Sequence, residues 1–293
     1  MAASRCVAGT LNATLVLFLG LIAGTLAGCG STGKTTLIPN GPPPITASIP
    51  GNWEFTGTIT TNTSQWPLPS GETVPIGAYL TSTGSAVTGS ASVQMAFPLV
   101  CMANCCGGPF AEFSNALTGT LNADGMLTLT STVPNGGPVF TMTGTMSNGT
   151  FTGGTFNLTG GCPASGTITG VELPSLDGTY AGTVTSKDTG QSYSLSTTLE
   201  QSTTVNARGF LDVSGTATFA GYPCLTSVTP ALPLEQNSGF LGNQFGVTMN
   251  GAGGATLSIS GTLSQDGKTI AATYTASGGA CKLDYGTGTL TLK

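Results

Sequence analysis

Histidine is absent from the 293 residues, and formal charge is scarce, with 7 Lys or Arg and 12 Asp or Glu. Each shortage excludes a class of chemistry. Without histidine there is no imidazole base to activate a hydroxyl nucleophile and no imidazole metal ligand. Seven cations are too few to neutralise a run of phosphates, so nucleic acid is not a partner. Glu, Lys, Arg and Gln, which usually clothe the wet face of an amphipathic helix, are too rare for long helices. What fills the chain instead is 45 Gly and 51 Thr. Threonine suits the exposed face of a strand, where its branched side chain packs without strain. The expected fold class is therefore all-β.

The acids are scattered singly, and lysine beyond residue 50 is limited to Lys187, Lys268, Lys282 and Lys293. No pair of carboxylates and no nucleophile with its base is assembled by the sequence. Asp124 and Asp266 each precede a glycine and read as turn residues, while Asp177 and Asp188 flank the strand that carries Tyr180. The expectation is a protein that is not an enzyme, with no catalytic residues, no cofactor and no metal.

The N-terminus reads as an address. Met1–Cys6 carries one cation, Arg5, and the apolar stretch Thr14–Leu26 ends in Leu26-Ala27-Gly28-Cys29. A charged start, an apolar core and a small-residue exit define a secretory signal peptide. The last four residues resemble the lipobox of bacterial lipoproteins. That resemblance covers the first 29 residues. It implies a signal peptide over 1–28, acylation of Cys29 and attachment to the membrane of the cell envelope through two or more acyl chains. Gly30 stands where inner-membrane lipoproteins of that family carry Asp, which implies the outer membrane. An uncleaved membrane helix is the competing reading, favoured by the length of the uncharged interval and disfavoured by the short core and the exit residues. Gly28–Thr35 also fits the phosphate-loop pattern G-x-x-x-x-G-K-T, but Pro42-Pro43-Pro44 follows instead of a helix, so nucleotide binding is not expected. Residues 29–50, rich in Pro, Gly, Ser and Thr, form a lipidated flexible tether in this reading.

From Gly51 onward, apolar and polar residues alternate with period two, the mark of half-buried antiparallel strands. Trp53, Phe55 and Ile59 share one phase, and Glu54, Thr56 and Thr58 the other. Leu127 and Leu129, then Phe140, Met142 and Met146, then Tyr193, Leu195 and Leu199, then Leu257, Ile259 and Leu263 repeat the pattern. Asp124-Gly125, Asn135-Gly136, Asn148-Gly149 and Asp266-Gly267 lie between such runs as hairpin turns. The body is also duplicated. Thr143-Gly144-Thr145-Met146-Ser147 matches Ser260-Gly261-Thr262-Leu263-Ser264, and Val87–Val93 matches Val213–Phe219. Two β repeats follow, 51–174 and 175–293, with the boundary near Leu173-Pro174-Ser175.

The Ser/Thr-Gly-Ser/Thr triplets put glycine on the apolar phase at Gly57, Gly119, Gly144, Gly215 and Gly261. An inward glycine lets a strand coil sharply or lets a ring lie over it. The opening Gly-x-Trp strand and the meander resemble the lipocalin/avidin (calycin-like) barrels. The fold expected is two tandem antiparallel β-meander repeats, each a small barrel or a sandwich.

Eight cysteines are present. Cys6 leaves with the signal peptide and Cys29 takes lipid, so six remain for disulfides in an exported protein. Cys224 and Cys281 are the cysteines of the second repeat and are expected to pair. By the repeat, their counterparts are Cys162 and one of Cys101, Cys105 or Cys106. Cys101–Cys162 with a vicinal Cys105–Cys106 is favoured among the three connectivities.

Longer segments at 61–77, 98–113 and 222–246 carry Trp66, Phe110, Phe113, Phe240 and Phe245. These aromatics either plug the barrel ends or line a mouth for a small apolar ligand or a glycan. The leading expectation is a non-catalytic, lipid-anchored cell-envelope protein that binds or displays, with a ligand, glycan or envelope protein as partner. The alternative is a lipocalin-like carrier of a small apolar ligand. A filled interior favours the first, and a connected apolar cavity the second. An integral outer-membrane barrel is not expected, because aromatics are few and no terminal aromatic closes the chain at Lys293.

Overall fold

The structure, a computed structural model, describes residues 49–62, 70–93, 115–132, 139–159, 163–225, 227–230 and 238–293. The segment read as signal peptide and most of that read as tether lie outside these residues with Cys29, as do Trp66, Phe110, Phe113, the Asn135-Gly136 pair, Cys101, Cys105, Cys106 and Cys162. In the first half the alternating runs become β1 (Gly51–Asn62), β2 (Thr73–Thr83), β3 (Ala86–Val93), β4 (Asn115–Leu121), β5 (Met126–Thr132), β6 (Val139–Ser147), β7 (Thr150–Thr159) and β8 (Ala164–Leu173). Each strand pairs antiparallel with its predecessor, and β8 returns to β1, closing an eight-stranded barrel.

The second half contains β9 (Gly178–Ser186), β10 (Ser192–Val205), β11 (Leu211–Ala220), β12 (Ser227–Pro230), β13 (Gly239–Leu241), β14 (Gln244–Gly251), β15 (Ala255–Leu263), β16 (Thr269–Gly278) and β17 (Cys281–Leu292). The order β10-β9-β17-β16-β15-β14-β12-β11 is closed by pairing of β10 with β11, which makes a second, barrel-like ring. Short β13 pairs with both β11 and β14. The expected all-β fold of two antiparallel meanders is present. Among the described residues no helix is long and apolar enough to cross a membrane.

Turn chemistry follows the sequence where it is described. Asn148 and Gly149 (φ 47° and 71°) form the two-residue turn between β6 and β7, the left-handed pair such a turn needs. The Asp124 carboxylate accepts the Met126 N–H, and that of Asp266 accepts the Ser264 hydroxyl and the Lys268 N–H. One segment departs from expectation. Residues 222–246, read as a long loop, hold β12, β13 and the start of β14, and Phe240 and Phe245 are cross-strand partners in the core. Proline content hid these strands, and Pro230 is tolerated at the very end of one.

The inward phase fills the lumen of the first barrel. Trp53, Phe55 and Phe151 are fully buried there, with ring centres 5.8 Å apart for Trp53–Phe55 and 5.5 Å for the edge-to-face Phe55–Phe151 pair. An eight-stranded barrel is just wide enough for such side chains. The inward glycines serve as their seats. A Cβ on Gly57 would sit 3.1 Å from Phe156 Cε1, and one on Gly144 2.5 Å from Phe151 Cζ. At Gly119 and Gly215 the close neighbour is instead the backbone carbonyl of the adjacent strand, Thr128 or Thr198.

Hydroxyls clothe the outward phase. Thr73, Thr58, Thr167, Thr155, Thr143, Thr128 and Thr120 stand in register on seven adjacent strands of the first barrel. This apolar-in, polar-out pattern is the reverse of a membrane-spanning barrel.

The outward phase is not wet everywhere. Asn52, Tyr79 and Ser90 form one register row across β1, β2 and β3, and Glu54, Gly77 and Ser92 the next. The second ring sits on this patch. Asn52 Nδ2 donates to the Gly242 carbonyl (2.6 Å) and its Oδ1 accepts the Gly242 N–H (2.8 Å). The Ser90 hydroxyl donates to the Gly209 carbonyl (2.6 Å) and that of Tyr79 to the Thr203 carbonyl (2.9 Å). Glu54, expected to face water with Thr56 and Thr58, keeps its phase but is buried in this seam.

Candidate functional site

Most inward positions of the second ring are apolar, so a carboxylate among them is the exception that marks a site. Along β17, Gly286, Gly288 and Leu290 point inward, and Asp284 shares their phase. Ser186, the last residue of β9, donates to Asp284 Oδ1 at 2.6 Å. Tyr222, just after β11, and Tyr274, on β16, both donate to Oδ2 at 2.8 Å. The ring of Tyr274 reaches the carboxylate over Gly286, where a Cβ would come within 2.5 Å of Tyr274 Cε1.

Packing fixes these hydroxyls in place. The Tyr222 ring meets Phe219 edge-on at 4.6 Å and Tyr193 at 4.8 Å, and Phe219 meets Tyr274 at 5.3 Å. Such edge-to-face pairs are worth about 0.5–1.5 kcal/mol each beyond area burial. The Tyr193 hydroxyl donates to Gln191 Oε1 (2.9 Å), and Ser186 Oγ accepts the Thr189 N–H (3.1 Å). Cys224 and Cys281 form a disulfide across 57 residues, tying the segment after Tyr222 to the first residue of β17. The pairing expected from the second repeat is thus the one present.

Burial pushes the Asp284 carboxyl up, and the hydroxyls of Ser186, Tyr222 and Tyr274 more than offset this, so it lies below the usual carboxylate range. Tyr222 and Tyr274 are held well above the ordinary phenol value, first by burial and then by their bonds to Asp284. A carboxylate held this low is a weak proton acceptor at neutral pH. Its chemistry is that of an anchor: one anion organises three hydroxyls and an aromatic cluster at this end of the ring. On the outer surface alongside, Leu283 (65%) and Tyr285 (46%) are exposed, with Lys187 Nζ 5.8 Å from the Tyr285 ring centre.

Replacing Asp284 with Asn turns one acceptor oxygen into a donor. The Asp284→Asn protein is expected to lose about 1–3 kcal/mol of stability, the cost of leaving a buried hydroxyl unpaired. Ultraviolet titration of the tyrosines should show two hydroxyls moving back towards their ordinary value. An unchanged titration would dissolve the anchor.

Asp177, singled out from the sequence, ties its own segment to β10. Asp177 Oδ1 accepts the Gln201 N–H (2.6 Å) and Oδ2 the Ser175 hydroxyl (2.6 Å), securing the entry to β9. Asp284 stood among the scattered acids in the sequence, because its partners lie 98, 62 and 10 residues away. The one signal it gave was a charge on the inward phase of a strand.

The chain matches no protein-family model and no curated protein. A solved structure that overlaps it is that of a "putative outer membrane protein" from Bacteroides fragilis, 13% identical, covering 84% of this chain and 98% of that one, at a TM-score of 0.23. An overlap at that score carries no argument about fold or function.

Proposed function

We propose that this chain is a non-catalytic, lipid-anchored protein of the bacterial cell envelope, held at the outer membrane through Cys29, that binds or displays with the outside of its barrels. The observation that carries this reading is the packed lumen of the first barrel, where Trp53, Phe55 and Phe151 occupy the space a carrier would give to its ligand. The hydroxyl-clad exterior supports barrels that stand in water, with attachment left to acyl chains at the N-terminus.

The test is metabolic labelling with a fatty-acid analogue, followed by membrane fractionation. The native chain is expected to carry label and sediment with membranes, and Cys29→Ser to lose both. Retention of label by the variant would overturn the anchor. Native mass spectrometry of protein taken from its own envelope tests the rest. A stoichiometric small apolar ligand in the native chain would overturn the display reading in favour of a carrier.

A further inference from the structure

We propose that the seam between the two repeats is a pH-responsive joint, closed while Glu54 is protonated and loosened when its buried carboxyl loses the proton. The placement of Glu54 carries the argument. It lies on the outer face of β1, 7% exposed, beneath the β13–β14 turn of the second ring. Among the described residues its carboxyl has one hydrogen-bond donor, the Asn243 N–H at 3.1 Å to Oε2. It has no ion-pair partner among the described residues. A charge taken out of water with a single hydrogen bond and no counter-ion is costly, whereas the neutral acid fits the same place.

Among the described residues no counter-charge is paired with it. On β8 the register partner is Val171, and Glu172 pairs with Trp53 and so lies on the inward phase. On β2 the partner is Gly77, with Tyr79 in the next row donating to Thr203. β3 contributes Ser90 and Ser92, and the β13–β14 turn is Gly242-Asn243. The β10–β11 turn brings Arg208, packed over the Phe210 ring, and β11 brings Asp212, bound by Asn206 Nδ2. Consistent with this, burial pushes the Glu54 carboxyl up to about 7, against the smaller opposing effect of the Asn243 N–H.

The sign follows from linkage. A carboxyl raised in the closed seam and ordinary in the open one binds its proton more tightly when closed. Closure is therefore fully favoured below the ordinary value of 4.5 and weakens as pH rises through about 7. The seam amides report it directly, because the Gly242 and Asn243 N–H groups both donate into it. Amide hydrogen exchange of the full chain, corrected for intrinsic rate, is expected to show their protection falling about tenfold between pH 6 and 8.5. Amides of β5, inside the first barrel, should not follow. Glu54→Gln, which keeps shape and acceptor but cannot ionise, should make the Gly242 and Asn243 protection flat with pH. Carbon-detected titration of the native chain gives an independent reading that needs no variant, with the Glu54 carboxyl expected to titrate near neutrality. A Glu54 carboxyl titrating in the ordinary range, or seam amides no more pH-sensitive than those of β5, overturns the joint. So does a Gln variant with the native slope.

Discussion

Gly144→Val should cost the first barrel about 3–5 kcal/mol, at the upper end of what overpacking does. The new Cβ would lie 2.5 Å from Phe151 Cζ and 2.8 Å from the Gly154 Cα, and no real side chain tolerates either distance. Phe151 cannot give way easily. Its ring is also pressed on Gly154, and its edge meets Phe55 at a centre separation of 5.5 Å. The Gly154 contact is backbone, so shrinking the ring would relieve only half of the clash. Thr143→Val, one residue earlier on the outward phase, is the matched control and should change stability by about 0.5 kcal/mol or less. Denaturant unfolding of both variants checks the pair. Equal stabilities would mean that the inward glycines are compositional and do not seat rings.

The second large effect is expected from removing the disulfide. Cys224 and Cys281 enclose 57 residues of chain, and opening a loop of that length costs about 4 kcal/mol in the chain-entropy description. In this protein the bond does more than shorten the unfolded chain. It holds the segment that delivers Tyr222 to Asp284, so its loss frees one donor of the hydroxyl network. The Cys224→Ser, Cys281→Ser double variant should therefore melt earlier and show a lowered Tyr222 hydroxyl value, while Tyr274 keeps its bond. Thermal unfolding followed by tyrosine absorbance measures both. A double variant as stable as the native chain would show that the ring needs no covalent tie.

Much of the architecture was legible because period-two patterning survives in every long strand. The repeat was legible because the same triplets recur on β6 and β15, and the disulfide because two cysteines stand alone in the second repeat. What escaped were features created by contact between distant parts. Asn52, Glu54 and Ser90 lie on an outward phase that local sequence marks as wet. Only the arrival of turns some 190 and 119 residues away buries them. Asp284 escaped for the same reason. β12 and β13 escaped because four- and three-residue strands among prolines are too short to show a period. The amino-terminal segment read as an address lies outside the described residues.

The seven in-register threonines on the first barrel have a kinetic consequence. This row offers hydroxyls and methyls in place of ions, so the row itself projects almost no field beyond contact distance. A molecule meeting the chain at this row would do so near the unsteered rate of roughly 10⁵–10⁶ M⁻¹s⁻¹. Recognition on such a row would rest on shape and hydrogen bonding at contact.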